Sequence, residues 1–205
     1  MIGLRSFLRD QRAASAAEFA LVLPLVLIFL FGIIDVGRFA WEMNQAEKAT
    51  QMGARRAVVT DMIPSGLASY SFATSGGIEQ GTVVSQTSFP GISCTSNGTT
   101  TTCVCAATCN FPTTANHAAF QRLVGWMNSI KGGITAANVR VVYSWSGLGF
   151  AGDPNGADVA PIITVRLQNV RFRPITTQIF GAPTITLPSF SYSLTMEDGS
   201  GSASN

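Results

Sequence analysis

At 205 residues, 46 % hydrophobic and only 12 % charged, the chain has room for one modest domain plus an anchor, and it is more apolar than a typical soluble protein. A formal net charge of +2, without any cluster of Lys and Arg interleaved with aromatics, argues against a nucleic-acid surface. From Pro64 onward six Lys/Arg stand against five Asp/Glu in a background rich in Ser, Thr, Gly and Asn, a composition common among exported bacterial proteins.

The N-terminal third carries the strongest signal. Arg5, Arg9 and Arg12, opposed only by Asp10, precede a run from Phe19 to Ile34 of 16 residues without a charge. As a helix this run is ~24 Å long. Extended through the small residues back to Ala13 and forward to Trp41, it reaches across a hydrocarbon core of about 30 Å. The span is therefore expected over about 19–41, with Pro24 tolerated inside it and Trp41 at interfacial depth. The basic leader, 1–13, keeps the N-terminus cytoplasmic by the positive-inside rule and sends the rest outward.

No small-x-small cleavage site follows the apolar run, where the chain reads VGRFAW. Instead Phe39, Met43, Ala46, Thr50, Gly53 and Ala57 recur at three- and four-residue steps, so the helix continues with one apolar face. Arg55 and Arg56 suit its C-terminal end and Pro64 stops it. These features predict one long helix over 14–62, membrane-embedded first and amphipathic afterwards.

Beyond it, residues 63–198 read as an exported α+β head. Strands are expected at 81–89, in a hairpin over 92–109, and at 138–145, 160–172 and 183–196, with alternation that puts one face of an antiparallel sheet against a helix. A helix is expected over 117–133, with Phe120, Leu123, Val124, Met127 and Ile130 on one face and Gly132–Gly133 at its end. The tail 199–205 reads as disordered.

All four cysteines, Cys94, Cys103, Cys105 and Cys109, fall in one window, separated by eight, one and three residues. Zinc sites favour two short C-x2-4-C pairs across a longer spacer, a pattern absent here. Disulfides in an oxidising compartment fit better, which agrees with the direction of the span. Of the three possible pairings, the SNG turn between Cys94 and Cys103 favours Cys94–Cys103 with Cys105–Cys109, and Cys103–Cys105 is disfavoured by strand geometry.

Nothing else in the chain reads as catalytic or cofactor-binding. Gly147, Gly149 and Gly152 match G-x-G-x-x-G by spacing, but the DPNG turn (153–156) follows where a nucleotide site needs a helix to begin. His117 is the single histidine and opens the expected helix, where a surface or capping role suffices. There is no G-x-S-x-G elbow. Asp153, Asp158, Glu197 and Asp198 form no readable carboxylate pair, and Asn97-Gly98-Thr99 is explained by turn chemistry as well as by a glycosylation sequon. No enzyme, metal or cofactor is expected.

RDQRAASAAEFALVLPLVL resembles the class III prepilin start of pilin-like proteins of the tight-adherence (Tad, or Flp) pilus. The segments NVRVVYSWSGLGFAGDP and APIITVRLQNVRFRPITTQIFGAPTITLPSFSYSLTMED also look like the head of TadE-like minor pilins. The resemblance implies cleavage between Ala13 and Ala14, with Glu18 and Phe19 as mature residues five and six; Ala13 stands where the family usually has Gly. It implies a structural role, as a minor pilin or pseudopilin in assembly of a surface-attachment pilus. The implied partners are membrane lipid, the major Flp pilin and other minor pilins, a prepilin peptidase and the inner-membrane assembly platform, with the head in the periplasm. In that setting Glu18 would compensate the freed amine of a neighbouring subunit, since a lone carboxylate in hydrocarbon is penalised. The alternative is a membrane-anchored periplasmic enzyme or binding module whose helix is only a tether.

Overall fold

A computed structural model of the chain describes residues 11–181, 183–197, 199 and 201. It is an α+β protein: one long N-terminal helix followed by an antiparallel sheet and shorter helices. The chain divides into two compact units. The first holds the long helix as far as Trp41 together with Arg171–Ile185; the second holds Glu42–Val170 and the chain from Thr186 onward.

Helix α1 (Gln11–Ala57) is continuous through Pro24 and closes with Arg55 and Arg56 in its last turn. It ends earlier than the expected residue 62. The amides of Val58 and Val59 still reach back to the carbonyls of Ala54 and Arg56, but the Thr60 hydroxyl then takes the Arg56 carbonyl and the regular ladder stops.

In the first unit α1 leaves Leu21, Leu25, Phe29 and Val36 exposed. The unit is completed by the two-residue strand β5 (Arg171–Phe172) and the helix α4 (Ile175–Phe180), after which the chain enters β6 (Ile185–Thr186). Helix α4 was not expected from the sequence. Pro174 at its N-cap and Gly181 beyond its end, in the left-handed conformation at φ 72°, delimit a segment too short to show periodicity.

In the second unit α1 contributes a stripe of small buried residues, Ala46, Ala49, Thr50, Gly53, Ala54 and Ala57. Small side chains let another helix approach closely: a Cβ on Gly53 would stand 2.9 Å from Cγ of Met127. Met127 lies on α3 (His117–Ile130), whose buried face is Ala119, Phe120, Leu123, Val124 and Met127. Asn116 caps that helix by accepting the Ala119 amide at 3.0 Å. The one-turn helix α2 (Ser65–Ala68) precedes the sheet.

The five-stranded sheet runs in the order β2 (Thr101–Cys105), β1 (Ile92–Ser96), β3 (Val139–Ser144), β4 (Ile162–Leu167), β7 (Phe190–Thr195), with every neighbouring pair antiparallel. Alternation sorts its faces as period-2 geometry requires. Ile92, Cys94, Val139, Val141, Tyr143, Ile163, Val165 and Leu167 are buried, whereas Arg140 and Arg166, paired across β3 and β4, are exposed.

Three expected strands differ from the structure. Residues 81–89 form no strand; Val83 makes one isolated bridge to Phe150, and Ser85 then draws the Ser88 and Phe89 amides into a turn. The run 160–172 breaks after Leu167 because Asn169 turns to φ 56°, and it resumes as β5. The run 183–196 is split into β6 and β7 around Pro188, which cannot donate to a ladder. Of the stretch read as a disordered tail, the structure describes Gly199 and Gly201. The Gly201 amide donates to Asp61 at 2.8 Å, and the Asp61 amide returns a bond to Gly201 at 2.9 Å. Residues 200 and 202–205 of that stretch lie outside the described residues.

Candidate functional site

The residues of the prepilin-like start lie in the opening turns of α1. Ala13 and Ala14 are helical, Glu18 is exposed, and Phe19 is 65 % exposed. Ala14 and Glu18 are four residues apart and therefore on one helix face. The basic leader up to residue 10 lies outside the described residues. From Ser15 onward α1 is long and apolar enough to cross a membrane, and the apolar window is almost wholly uncovered by the rest of the chain. Such a face is what a hydrocarbon solvent, or other apolar helices, would cover.

Where the apolar run ends, Asp35 organises the first unit. Its Oδ1 accepts the Ile175 amide at 2.7 Å, and its Oδ2 accepts the Thr176 amide at 2.9 Å and the Thr176 hydroxyl at 2.8 Å. The carboxylate thus satisfies the first free N–H groups of α4 from outside that helix, and its charge meets the positive end of the helix dipole. Thr177 donates its hydroxyl to the Pro174 carbonyl at 2.7 Å, closing the same turn. One turn along α1, Arg38 approaches Asp35 at 3.4 Å and lies over the Phe172 ring at 5.4 Å. Phe39 meets Phe172 edge-on, with ring centroids 5.4 Å apart. Asp35 carries no motif that marks it in the sequence. Its only local sign was an acid directly after the apolar run, and its partners are 140 residues away.

In the second unit α1 is tied to α3 by an ion pair between Glu42 and Lys131, whose side chain is only 6 % exposed. Lys131 follows the last residue of α3 and also donates to the Gly132 carbonyl. Asp61 accepts from Arg122 at 2.9 Å as well as from Gly201. The buried Ile63 amide donates to the phenol oxygen of Tyr143 at 3.0 Å. Tyr143 lies wholly inside the core, and loss of water pushes its ionisation well above the ordinary tyrosine range.

The cysteines pair as Cys94–Cys103 and Cys105–Cys109. Cys94 and Cys103 are direct cross-strand partners of β1 and β2, and no thiol is free among the described residues.

The remaining sequence candidates are structural in this fold. Gly147, Gly149 and Gly152 all adopt positive φ in the connection between β3 and β4, and no helix begins there. At Gly149 a Cβ would stand 2.6 Å from the Asp158 carbonyl oxygen, so the backbone needs glycine. Asp158 is buried and accepts the amides of Phe72 at 2.6 Å and Asp153 at 3.1 Å, which pins this connection to the segment after α2. Glu197 does not join these carboxylates by any hydrogen bond, and Asp198 lies outside the described residues. Nδ1 of His117 hydrogen-bonds the Thr101 hydroxyl. Oδ1 of Asn97 accepts from the Thr99 and Thr100 amides, the turn chemistry weighed against a sequon.

The family model for TadE-like protein matches residues 13–55, from the prepilin-like start almost to the end of α1. Over that segment the chain is similar to TadE-like protein, as the sequence resemblance implied. No curated protein and no solved structure matches the chain.

Proposed function

We propose that the protein is a minor pilin or pseudopilin that takes part in assembling a tight-adherence pilus. It is anchored once in the inner membrane, with its N-terminus in the cytoplasm and its head in the periplasm. The observation that carries this reading is the coincidence of the TadE-like match with an uncovered apolar helix that places Glu18 four residues after Ala14. A tether alone needs neither the small-residue run before Glu18 nor the family match that runs on to residue 55.

The proposed sequence of events starts with cleavage between Ala13 and Ala14, which frees an amine on Ala14. When apolar helices pack side by side, Glu18 of one subunit meets that amine on the next. An unpaired carboxylate is costly in such surroundings, so pairing selects one axial register among many equally greasy ones. The head then presents its sheet and helices outside the membrane to the other pilus components.

The test is Glu18→Ala in the producing bacterium. The expected outcome is normal membrane insertion with impaired pilus assembly. Normal piliation by the variant would refute the role given to Glu18. N-terminal sequencing of the membrane-extracted protein should begin at Ala14.

A further inference from the structure

The stretch from Phe172 to Thr176 meets α1 at one level, and that level can be read from the sequence. Within the stretch 13–41, Ala14 to Ile34 alone is 21 residues, about 31 Å of helix. This already matches a hydrocarbon core of about 30 Å, so the charged end of the expected span, from Asp35 to Trp41, falls to the interface rather than to the hydrocarbon. Asp35 is the first charged residue beyond that length. It is held by three hydrogen bonds to Ile175 and Thr176, so α4 begins where the apolar run stops. Phe172 packs on Phe39 and beneath Arg38 in the next turn. Trp41, 66 % exposed, lies about 9 Å further along α1, at the outer side of the same band.

Two features of the segment fit that band. Arg171 and Arg173 flank the buried Phe172, are both exposed, and project to the same side of the extended chain. Neither has an ion-pair partner among the described residues. From Ile175 to Thr186 there is then no charged residue at all, and Ile185 is 46 % exposed. A pair of unpaired guanidiniums next to an uncharged, partly apolar stretch is the composition of an element lying in a membrane interface.

We infer that Arg171–Thr177 is a lipid-contacting collar that binds the phosphate headgroups of anionic phospholipid beside the membrane helix, with Arg171 and Arg173 as its phosphate ligands. This rests on α1 being a membrane span. Guanidinium suits the task because it offers forked donors to phosphate oxygens and does not lose its charge. The collar's positive charge complements the anionic headgroup layer. Asp35 is the positioning residue that fixes it at headgroup depth.

The test uses the full chain placed in nanodiscs of equal parts phosphatidylcholine and phosphatidylglycerol, followed by mild detergent extraction and mass spectrometry of the retained lipid. The native chain should retain phosphatidylglycerol over phosphatidylcholine by about five-fold or more, the scale of one interfacial arginine. Arg171→Gln/Arg173→Gln should bring the ratio to near unity, and Arg171→Lys/Arg173→Lys should restore part of it. Arg140→Gln/Arg166→Gln, which removes the same charge from the exposed sheet face, should leave the enrichment intact. Absence of enrichment in the native chain, its persistence in the Arg171/Arg173 glutamine variant, or its equal loss in the sheet variant each overturns the collar. Failure of the native chain to enter any bilayer overturns the span itself, and the collar with it.

Discussion

Asp35 holds Thr176 twice, through its amide at 2.9 Å and through its hydroxyl at 2.8 Å. A side chain on the N-terminal helix thereby serves as the cap of a helix that begins 140 residues later. Asp35→Ala should strand the Ile175 and Thr176 amides at a cost of about 1–3 kcal/mol to this local structure. In detergent-solubilised protein, amide exchange at Ile175 and Thr176 should quicken and trypsin should cut more readily after Arg171. Asp35→Asn, which keeps one good acceptor, should fall between the two. Unchanged exchange in the Ala variant would remove Asp35 from this role.

Ala13 offers a separate handle on the proposed processing step. A methyl group in the peptidase subsite that usually receives glycine should slow the cut. Ala13→Gly should therefore raise the fraction of chains that begin at Ala14, as read by N-terminal sequencing of membrane-extracted protein, without altering membrane retention.

The Glu42–Lys131 pair joins α1 to the end of α3 with the lysine buried and the glutamate about one-third exposed. Removing only the glutamate leaves a buried ammonium without its counter-charge. Because solvent reaches Glu42, Glu42→Ala should cost about 2–3 kcal/mol, below the range for a fully buried pair. Glu42→Ala/Lys131→Met should recover most of that loss in urea denaturation. A double variant no more stable than the single one would show that the packing of Lys131, rather than its charge, is what matters.

Tyr143 supplies a pH signature. Its phenol is buried and ionises far less readily in the folded chain than in the unfolded one. The sign follows from linkage: a group whose folded value lies above its unfolded value, near 10, contributes fully below that pH and loses its contribution as pH rises beyond it. The head should hold its stability up to about pH 10 and lose it in stronger alkali. Tyr143→Phe should cost about 1–3 kcal/mol at neutral pH, because the Ile63 amide loses its acceptor, and should flatten the alkaline decline. Urea midpoints at neutral and alkaline pH measure both effects.

The two disulfides close loops with separations of nine and four residues. Loop-closure entropy assigns each about 2–3 kcal/mol, with the longer loop the larger. Cys94→Ala/Cys103→Ala should lower the thermal midpoint more than Cys105→Ala/Cys109→Ala, since it also empties buried volume between β1 and β2. Equal shifts would mean that loop closure alone accounts for both.

The long helix was legible because a charge-free run and a small-residue stripe at helical spacing are both written locally. The stripe from Ala46 to Ala57 is buried as its periodicity implied. Helix α3 and the hairpin were legible for similar reasons: an apolar face closed by Gly132–Gly133, and an SNG turn. What the sequence left hidden depends on distant partners. The strand-like TVV at residues 82–84 was overruled by the Ser85 turn, and one left-handed residue, Asn169, ended β4 early. Helix α4 has six residues, fewer than two turns, and depends on a carboxylate from α1. Asp35 itself looked like no more than the end of an apolar run.

Two links tie the segment after β7 back to the segment that follows α1. The Glu197 amide donates to the Val58 carbonyl, and Asp61 and Gly201 exchange hydrogen bonds. β7 pairs with β4 and forms one edge of the sheet. Until β7 docks, the Ile162–Leu167 strand has an open edge, and an open edge is a template for foreign strands. The form in which β1 to β4 have paired but β7 has not docked is therefore the one in greatest need of a chaperone.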